Sequence, residues 1–91
     1  MPRVAEVWAV SARVQKAGPD GKYVEMKSAW TKTKQQAVRK AREFLNFFKR
    51  QGYTVVNEEE NKEELMTTWD LEKVVDGKTY RAQVYIVGVP F

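Results

Sequence analysis

The reactive side chains of this 91-residue chain are carboxylates, amines, guanidinium groups and phenols, because it contains no His and no Cys. Cysteine nucleophiles, disulfides and Cys/His zinc sites are therefore excluded, together with the commonest general base. The carboxylates concentrate at residues 58–64, in a hydrophilic run where nothing predicts the burial that shifts a pKa. That run also lacks the glycine-punctuated spacing of a calcium loop. We therefore expect no enzymatic activity, no cofactor and no metal site.

The charges are unevenly distributed along the chain. Residues 1–53 hold 12 Lys and Arg against 4 Asp and Glu, whereas residues 54–91 hold 4 against 8, so the halves carry +8 and −4. A basic half predicts an anionic partner, and a general surface richness in Lys and Glu is the alternative interpretation. Because no apolar run approaches the length of a membrane span and no signal peptide precedes the first strand-like segment, we expect a cytoplasmic protein without a membrane partner.

The first half of the chain predicts a β-hairpin followed by a helix. Residues 4–16 and 22–31 have strand-like patterns and flank a turn sequence at residues 18–21. The register that this turn favours pairs Val10 with Trp30 on the apolar face and places Arg13 opposite Lys27 on the other face. Thr33 is a helix N-cap candidate, and the helix is expected to run to about residue 51, where a glycine follows.

The second half predicts a short strand at residues 53–57, an acidic solvated loop, and a second hairpin. Its strands, residues 65–75 and 78–89, flank Asp76 and Gly77, a two-residue turn signal. The resulting register pairs Leu71 with Ala82 on one face and Glu72 with Arg81 on the other, so that apolar residues meet apolar ones and an acid meets a base.

The order strand-strand-helix-strand-strand-strand predicts one compact α+β domain over residues 1–91, with a single helix packed on one face of a mainly antiparallel sheet. The other face of the sheet is left open, and the order of the strands within the sheet stays undetermined. The predicted core consists of Trp8, Val10, Met26, Trp30, Val38, Phe44, Leu45, Phe48, Trp69, Leu71, Val84 and Ile86.

The open face and the helix supply the candidate binding residues. Like charges directly opposite each other destabilise a hairpin, so a bound phosphate would account for Arg13 facing Lys27, with Glu25 as a neutralising neighbour in the alternative interpretation. Tyrosine rings beside basic residues are typical of nucleic-acid surfaces, and they are also common strand residues. Helix cations are second phosphate contacts or an ordinary solvated face. The candidate set is Arg13, Lys22, Tyr23, Lys27, Arg39, Arg42, Arg81 and Tyr85.

Residues 8–44 resemble the N-terminal arm-binding domain of tyrosine-recombinase integrases, which is related to plant AP2-type DNA-binding domains. The resemblance lies in an early Trp8, the turn and lysine at residues 19–22, the aromatic Trp30, and the helix opening at residues 33–37. In that family a three-stranded sheet lies in the DNA major groove and a helix packs behind it. The resemblance implies DNA-facing positions at Arg13, Lys22, Tyr23 and Lys27, and core positions at Trp8, Trp30 and Phe44.

These observations favour a non-catalytic nucleic-acid-binding module that uses the open sheet face and the basic N-terminal half, with DNA favoured over RNA. The alternative is a small protein-interaction module, such as a viral or mobile-element regulator or inhibitor, that binds a protein partner or forms a homodimer. An apolar stretch at residues 87–91 and the unpaired strands at the sheet edges favour this alternative.

Overall fold

Five antiparallel strands and one helix form the fold, as shown by a computed structural model that describes residues 5–15 and 21–90. Along the chain the elements are β1 (Val7–Gln15), β2 (Tyr23–Thr31), α1 (Lys34–Arg50), β3 (Thr54–Asn61), β4 (Met66–Val75) and β5 (Lys78–Val89). The predicted α+β class, with one helix and an antiparallel sheet, is confirmed for these residues. The turn positions predicted at residues 18–20 lie outside the described residues.

The strand order in the sheet is β2-β1-β5-β4-β3, which differs from the order along the chain. The first and last strands are hydrogen-bonded neighbours at the centre of the sheet, with Val7 opposite Val89 and Val14 opposite Ala82. β2 and β3 are the two edge strands. Because no local turn joins β1 to β5, the sequence gives no direct signal for this central pairing.

The helix begins where its sequence signals predict. The side chain of Thr33 accepts a hydrogen bond from the backbone N–H of Gln36 (3.2 Å), which satisfies one of the free donors of the first turn. The side chain of Gln36 reaches back to the backbone N–H of Lys32 (3.2 Å). At the other end Gly52 adopts a φ of 95°, a left-handed conformation that glycine accepts without strain and that ends the helix.

The core lies between α1 and the central strands. Eight of the predicted core residues are buried, and Val38 and Trp69 are half-buried against them. The predictions for Met26 and Trp30 are wrong, because these side chains are 50% and 67% exposed. The buried core is Trp8, Val10, Ala12, Ala37, Ala41, Phe44, Leu45, Phe48, Tyr53, Leu71, Ala82, Val84 and Ile86.

The register of the first hairpin also differs from the prediction. Ala9 lies opposite Trp30 and Ala12 opposite Lys27, but the register then shifts, so that Arg13 faces Glu25. Met26 is the extra residue of this bulge, and an extra residue breaks the alternation of faces along a strand. Consequently Lys27 lies on the helix side of the sheet and Trp30 on the open side, the reverse of what the sequence predicts.

The second hairpin has the predicted register, with Leu71 opposite Ala82 and Glu72 opposite Arg81. The interpretation of residues 58–64 as a loop is wrong in part, because Glu58, Glu59 and Glu60 continue β3 and pair with β4. Glutamate is a poor strand former, but β3 is an edge strand, so its side chains reach water on both faces.

Shortening one buried side chain tests the position of the core. Ile86 is 1% exposed, so Ile86→Val should lower the free energy of unfolding by about 1 kcal/mol. In a domain of this size that corresponds to a fall in Tm of about 4–8 °C. Val74→Thr, at a position 68% exposed, should change stability by less than about 0.5 kcal/mol. Equal effects of the two substitutions in thermal and urea unfolding would contradict this core.

Burial of Tyr53 predicts a pH dependence of stability. Desolvation raises the pKa of Tyr53 above its ordinary value of 10.0, and the nearby Tyr80 raises it further. The folded state holds the phenol proton of Tyr53 more tightly than the unfolded chain does. The protonated phenol is therefore compatible with the fold below about pH 10, and the folded state loses stability as the pH rises through the raised pKa. With rising pH, the free energy of unfolding of Tyr53→Phe should therefore fall less steeply than that of the wild type, as measured by urea unfolding between about pH 8 and pH 11. Identical slopes would contradict the assignment.

Candidate nucleic-acid interface

A hydrogen-bonded row of side chains crosses four strands on the open face of the sheet. Arg13 on β1 donates to the side-chain oxygen of Gln83 on β5, and Gln83 donates to Asp70 on β4 (3.0 Å). Asn57 on β3 donates to the second carboxylate oxygen of Asp70 (3.2 Å). We call Arg13, Gln83, Asp70 and Asn57 the polar row. Each member is hydrogen-bonded to the next one along the row, so these polar groups form one connected network on the open face.

Arg13 is the most constrained cation of the open face. Its guanidinium carbon lies 4.7 Å from the ring centre of Tyr85 and 5.7 Å from that of Tyr23, within the range of cation–π attraction. Its Nε is buried and has no hydrogen-bond partner among the described residues. The structure thus brings together three predicted site residues, but their contacts are with one another. This arrangement fixes Arg13 as part of the sheet and leaves its guanidinium little freedom to reach a phosphate.

The acidic side chains of the open face balance or outnumber its basic side chains. Arg81 pairs with Glu72 at 3.2 Å, and Glu25, which faces Arg13 on β2, accepts a hydrogen bond from Ser11 (2.7 Å). Asp70 and Glu59 add further negative charge on this side, as the register of β3 with β4 shows. The open face is therefore of mixed sign, and its geometry does not favour the binding of phosphate groups there.

Lys27 and Lys22 lie apart from the polar row. The Lys27 ammonium sits 3.9 Å from the ring centre of Phe47, a residue of α1, so Lys27 belongs to the helix side of the sheet. Its predicted place on the open face is wrong, because the bulge at Met26 shifts the alternation by one residue. Lys22 is exposed immediately before β2.

The solvent side of α1 carries the basic surface. Arg39, Arg42, Lys49 and Arg50 are all exposed and recur at a helical spacing that places them away from the buried stripe of α1. Among the ion pairs of the described residues none includes these four side chains. We call this set the basic helix face. Lys49 and Arg50 also lie in the last turn, where positive charge stabilises the helix dipole.

A groove of about 340 Å³ separates α1 from β3 and β4. Val38, Leu45 and Trp69 contribute apolar lining, with Arg42 on the helix and Glu58 on β3. At one end Lys34 approaches Glu60 at 3.9 Å. The groove lies where α1 ceases to cover the sheet, and its two sides carry opposite charges. It therefore favours neither an anionic nor a cationic ligand.

Residues 5–15 and 21–90 contain no group of three or more acidic side chains arranged to hold a metal ion. No helix in this part of the chain is long and apolar enough to cross a membrane. Comparison with protein-family models, curated proteins and solved structures finds no match. The resemblance to the integrase arm-binding domain stays a prediction, and the core position that it implies for Trp30 is wrong, since that side chain is exposed.

Two features of this surface cannot be predicted from the sequence. Gln83, Asp70 and Asn57 become partners of Arg13 only through the order of the strands in the sheet. The face of Trp30 is also not predictable from alternation, because the bulge at Met26 shifts the faces by one residue and leaves Ala29 on the core side.

The constrained setting of Arg13 leads to a stability prediction. Arg13→Ala removes the bond to Gln83 and two cation–π contacts, so it should lower the free energy of unfolding by about 2 kcal/mol. Arg81→Ala removes an exposed ion pair with Glu72 and should cost less than about 1 kcal/mol. Urea unfolding of both variants measures the difference. If Arg81→Ala costs as much as Arg13→Ala, the polar row does not stabilise the sheet.

Proposed function

We propose that this protein binds the phosphate backbone of a nucleic acid, with duplex DNA as the favoured partner, through the basic helix face. The observation that carries the proposal is the charge of α1, which holds six Lys and Arg and a single acid, Glu43. Its cations are Lys34, Arg39, Lys40, Arg42, Lys49 and Arg50. Lys40 and Lys34 are paired with Glu43 and Glu60. The other four remain exposed and in no ion pair within the described residues.

The length of α1 suits a duplex. From Arg39 to Arg50 the cations extend over about 16 Å of helix, at 1.5 Å per residue. The major groove of B-DNA is about 12 Å wide and admits a helix, so cations along α1 can contact phosphates on both of its walls. The deep and narrow major groove of A-form RNA does not accept a helix in this way. These dimensions support duplex DNA over duplex RNA.

The exposed aromatic rings favour a duplex over a single strand. Proteins that bind single strands stack bases on aromatic side chains that lie beside the cations. Here Tyr23 and Trp30 lie on the open face of the sheet, on the side opposite α1. Bases held there would be separated from the basic helix face by the sheet. The cations of α1 instead support sequence-independent contact with a backbone.

Removing two helix cations tests the proposal. Arg39→Ala combined with Arg42→Ala should weaken binding to duplex DNA by roughly tenfold at low salt, because each phosphate contact releases counterions. The salt dependence of log K should become shallower by about 0.9 for each phosphate that the variant no longer neutralises. Fluorescence anisotropy with duplex DNA, single-stranded DNA and RNA at low and moderate salt measures both effects.

The control removes the same charge elsewhere on the surface. Lys62→Ala combined with Lys78→Ala also deletes two exposed cations, and it should weaken binding by less than about threefold. Equal weakening in the two double variants would show that overall charge, rather than the basic helix face, determines affinity. Wild-type binding weaker than about 100 μM at about 50 mM salt for all three nucleic acids would contradict the function itself.

A further inference from the structure

The edge strand β2 exposes several large apolar side chains to solvent. On it Trp30 is 67% exposed and Met26 50%, with Val24 and Tyr23 also exposed. One side of β2 pairs with β1, and its other side has no strand partner among the described residues. An edge strand presents a row of free N–H and C=O groups to any strand that can lie beside it.

The opposite edge of the same sheet is protected. β3 carries Glu58, Glu59 and Glu60 in succession, and its pairing with β4 is irregular between Val55 and Asn57. Like charges and bulges are devices that prevent edge pairing. β2 holds only two charges, Glu25 and Lys27, which are of opposite sign. The two edges of the sheet are therefore unequal, and β2 is the edge open to a partner.

The bulge gives β2 a pattern of faces that reads the same in both directions. Its register with β1 places four side chains on the open face of the sheet: Tyr23, Glu25, Ser28 and Trp30. Val24, Lys27 and Ala29 lie on the helix side, and Met26 is the extra residue. Residues 23–25 therefore alternate as the mirror image of residues 28–30. A regular strand cannot have this symmetry about a point between two residues, because its faces alternate without interruption.

We propose that β2 pairs antiparallel with β2 of a second copy of this chain, about a two-fold axis between Met26 and Lys27. In this register Tyr23 lies opposite Trp30 of the second copy, and Glu25 lies opposite its Ser28. Outside the bulge, side chains that lie opposite each other are on the same face of the sheet. Tyr23 and Trp30 then cover each other's exposed rings, and no two like charges lie opposite each other. This dimer goes beyond the proposed function, because the basic helix face takes no part in the pairing.

Neighbouring registers are worse on the same criteria. A shift by one residue centres the axis on Lys27 and sets the two Lys27 side chains directly opposite each other. It also places Val24, on the helix side, opposite Trp30, which lies on the open face. A shift that centres the axis on Met26 places Glu25, on the open face, opposite Lys27, which lies on the helix side. Register errors of this kind put apolar and polar side chains on the wrong sides of the sheet. The proposed pairing instead continues one sheet through ten strands, with both helices on the same side.

Sedimentation equilibrium of the full chain tests the dimer. We expect self-association between roughly 10 and 500 μM protein, as for a small interface. Trp30→Ser should weaken it at least tenfold, since buried Trp residues dominate interfaces of this kind, whereas Val74→Ser, at a position 68% exposed on the far hairpin, should change it less than twofold. A wild-type chain that stays monomeric at about 500 μM, or a Trp30→Ser variant that associates as the wild type does, overturns the proposal.

Cysteine cross-linking tests the register, since the chain has no native Cys. Opposite residues of an antiparallel pair have Cα atoms about 4.5–5.5 Å apart, within the range of a disulfide. An equimolar mixture of Glu25→Cys and Ser28→Cys should form a mixed disulfide dimer on mild oxidation. A mixture of Val74→Cys and Ser28→Cys is the control. Mixed-dimer yield no higher than in the control overturns the register. Because DNA binding is measured separately on helix variants, either proposal can fail without the other.

Discussion

A single helix covers a sheet of five strands, and much of the structure follows from this mismatch in width. A helix with its side chains is about 10–12 Å across, whereas five strands at about 4.8 Å spacing span roughly twice that distance. α1 packs mainly on β1 and β5 and reaches β2. Where helix and sheet meet, alanines allow close approach: Ala12 and Ala82 on the strands, and Ala37 and Ala41 on the helix, are fully buried. Phenylalanine and leucine side chains fill the flanks of this contact.

The parts of the sheet that the helix does not cover are exposed to water and carry polar side chains. β3 uses glutamates, which extend into solvent on both faces. The open face uses the polar row, in which each group from Arg13 to Asn57 finds its partner on the next strand of the sheet. Four exposed cations of the basic half, Arg39, Arg42, Lys49 and Arg50, lie on α1 away from its buried stripe. Coverage, rather than composition alone, decides where the free positive charge of the basic half appears.

The two hairpins show which features a sequence can predict. In the second, a two-residue turn sets the register, and uninterrupted alternation assigns every face correctly from Leu71 to Ala82. In the first, Met26 adds one residue, and the same alternation assigns Lys27 and Trp30 to the wrong faces. The helix, its cap and its exposed arginines follow from local periodicity. The polar row and the strand nature of Glu58–Glu60 depend on which strands become neighbours, and that information lies in tertiary packing.

The central pairing of β1 with β5 has a consequence for how the chain folds. Val7 lies opposite Val89, so the middle of the sheet joins segments separated by nearly the whole described chain. Closing so long a loop costs entropy before the contacts form, and topologies with such distant contacts fold slowly. During synthesis the first hairpin and α1 emerge before β5, with one side of β1 and the buried face of α1 uncovered. The apolar surface around Val10 and Phe48 is then exposed to other chains until residues 78–89 arrive.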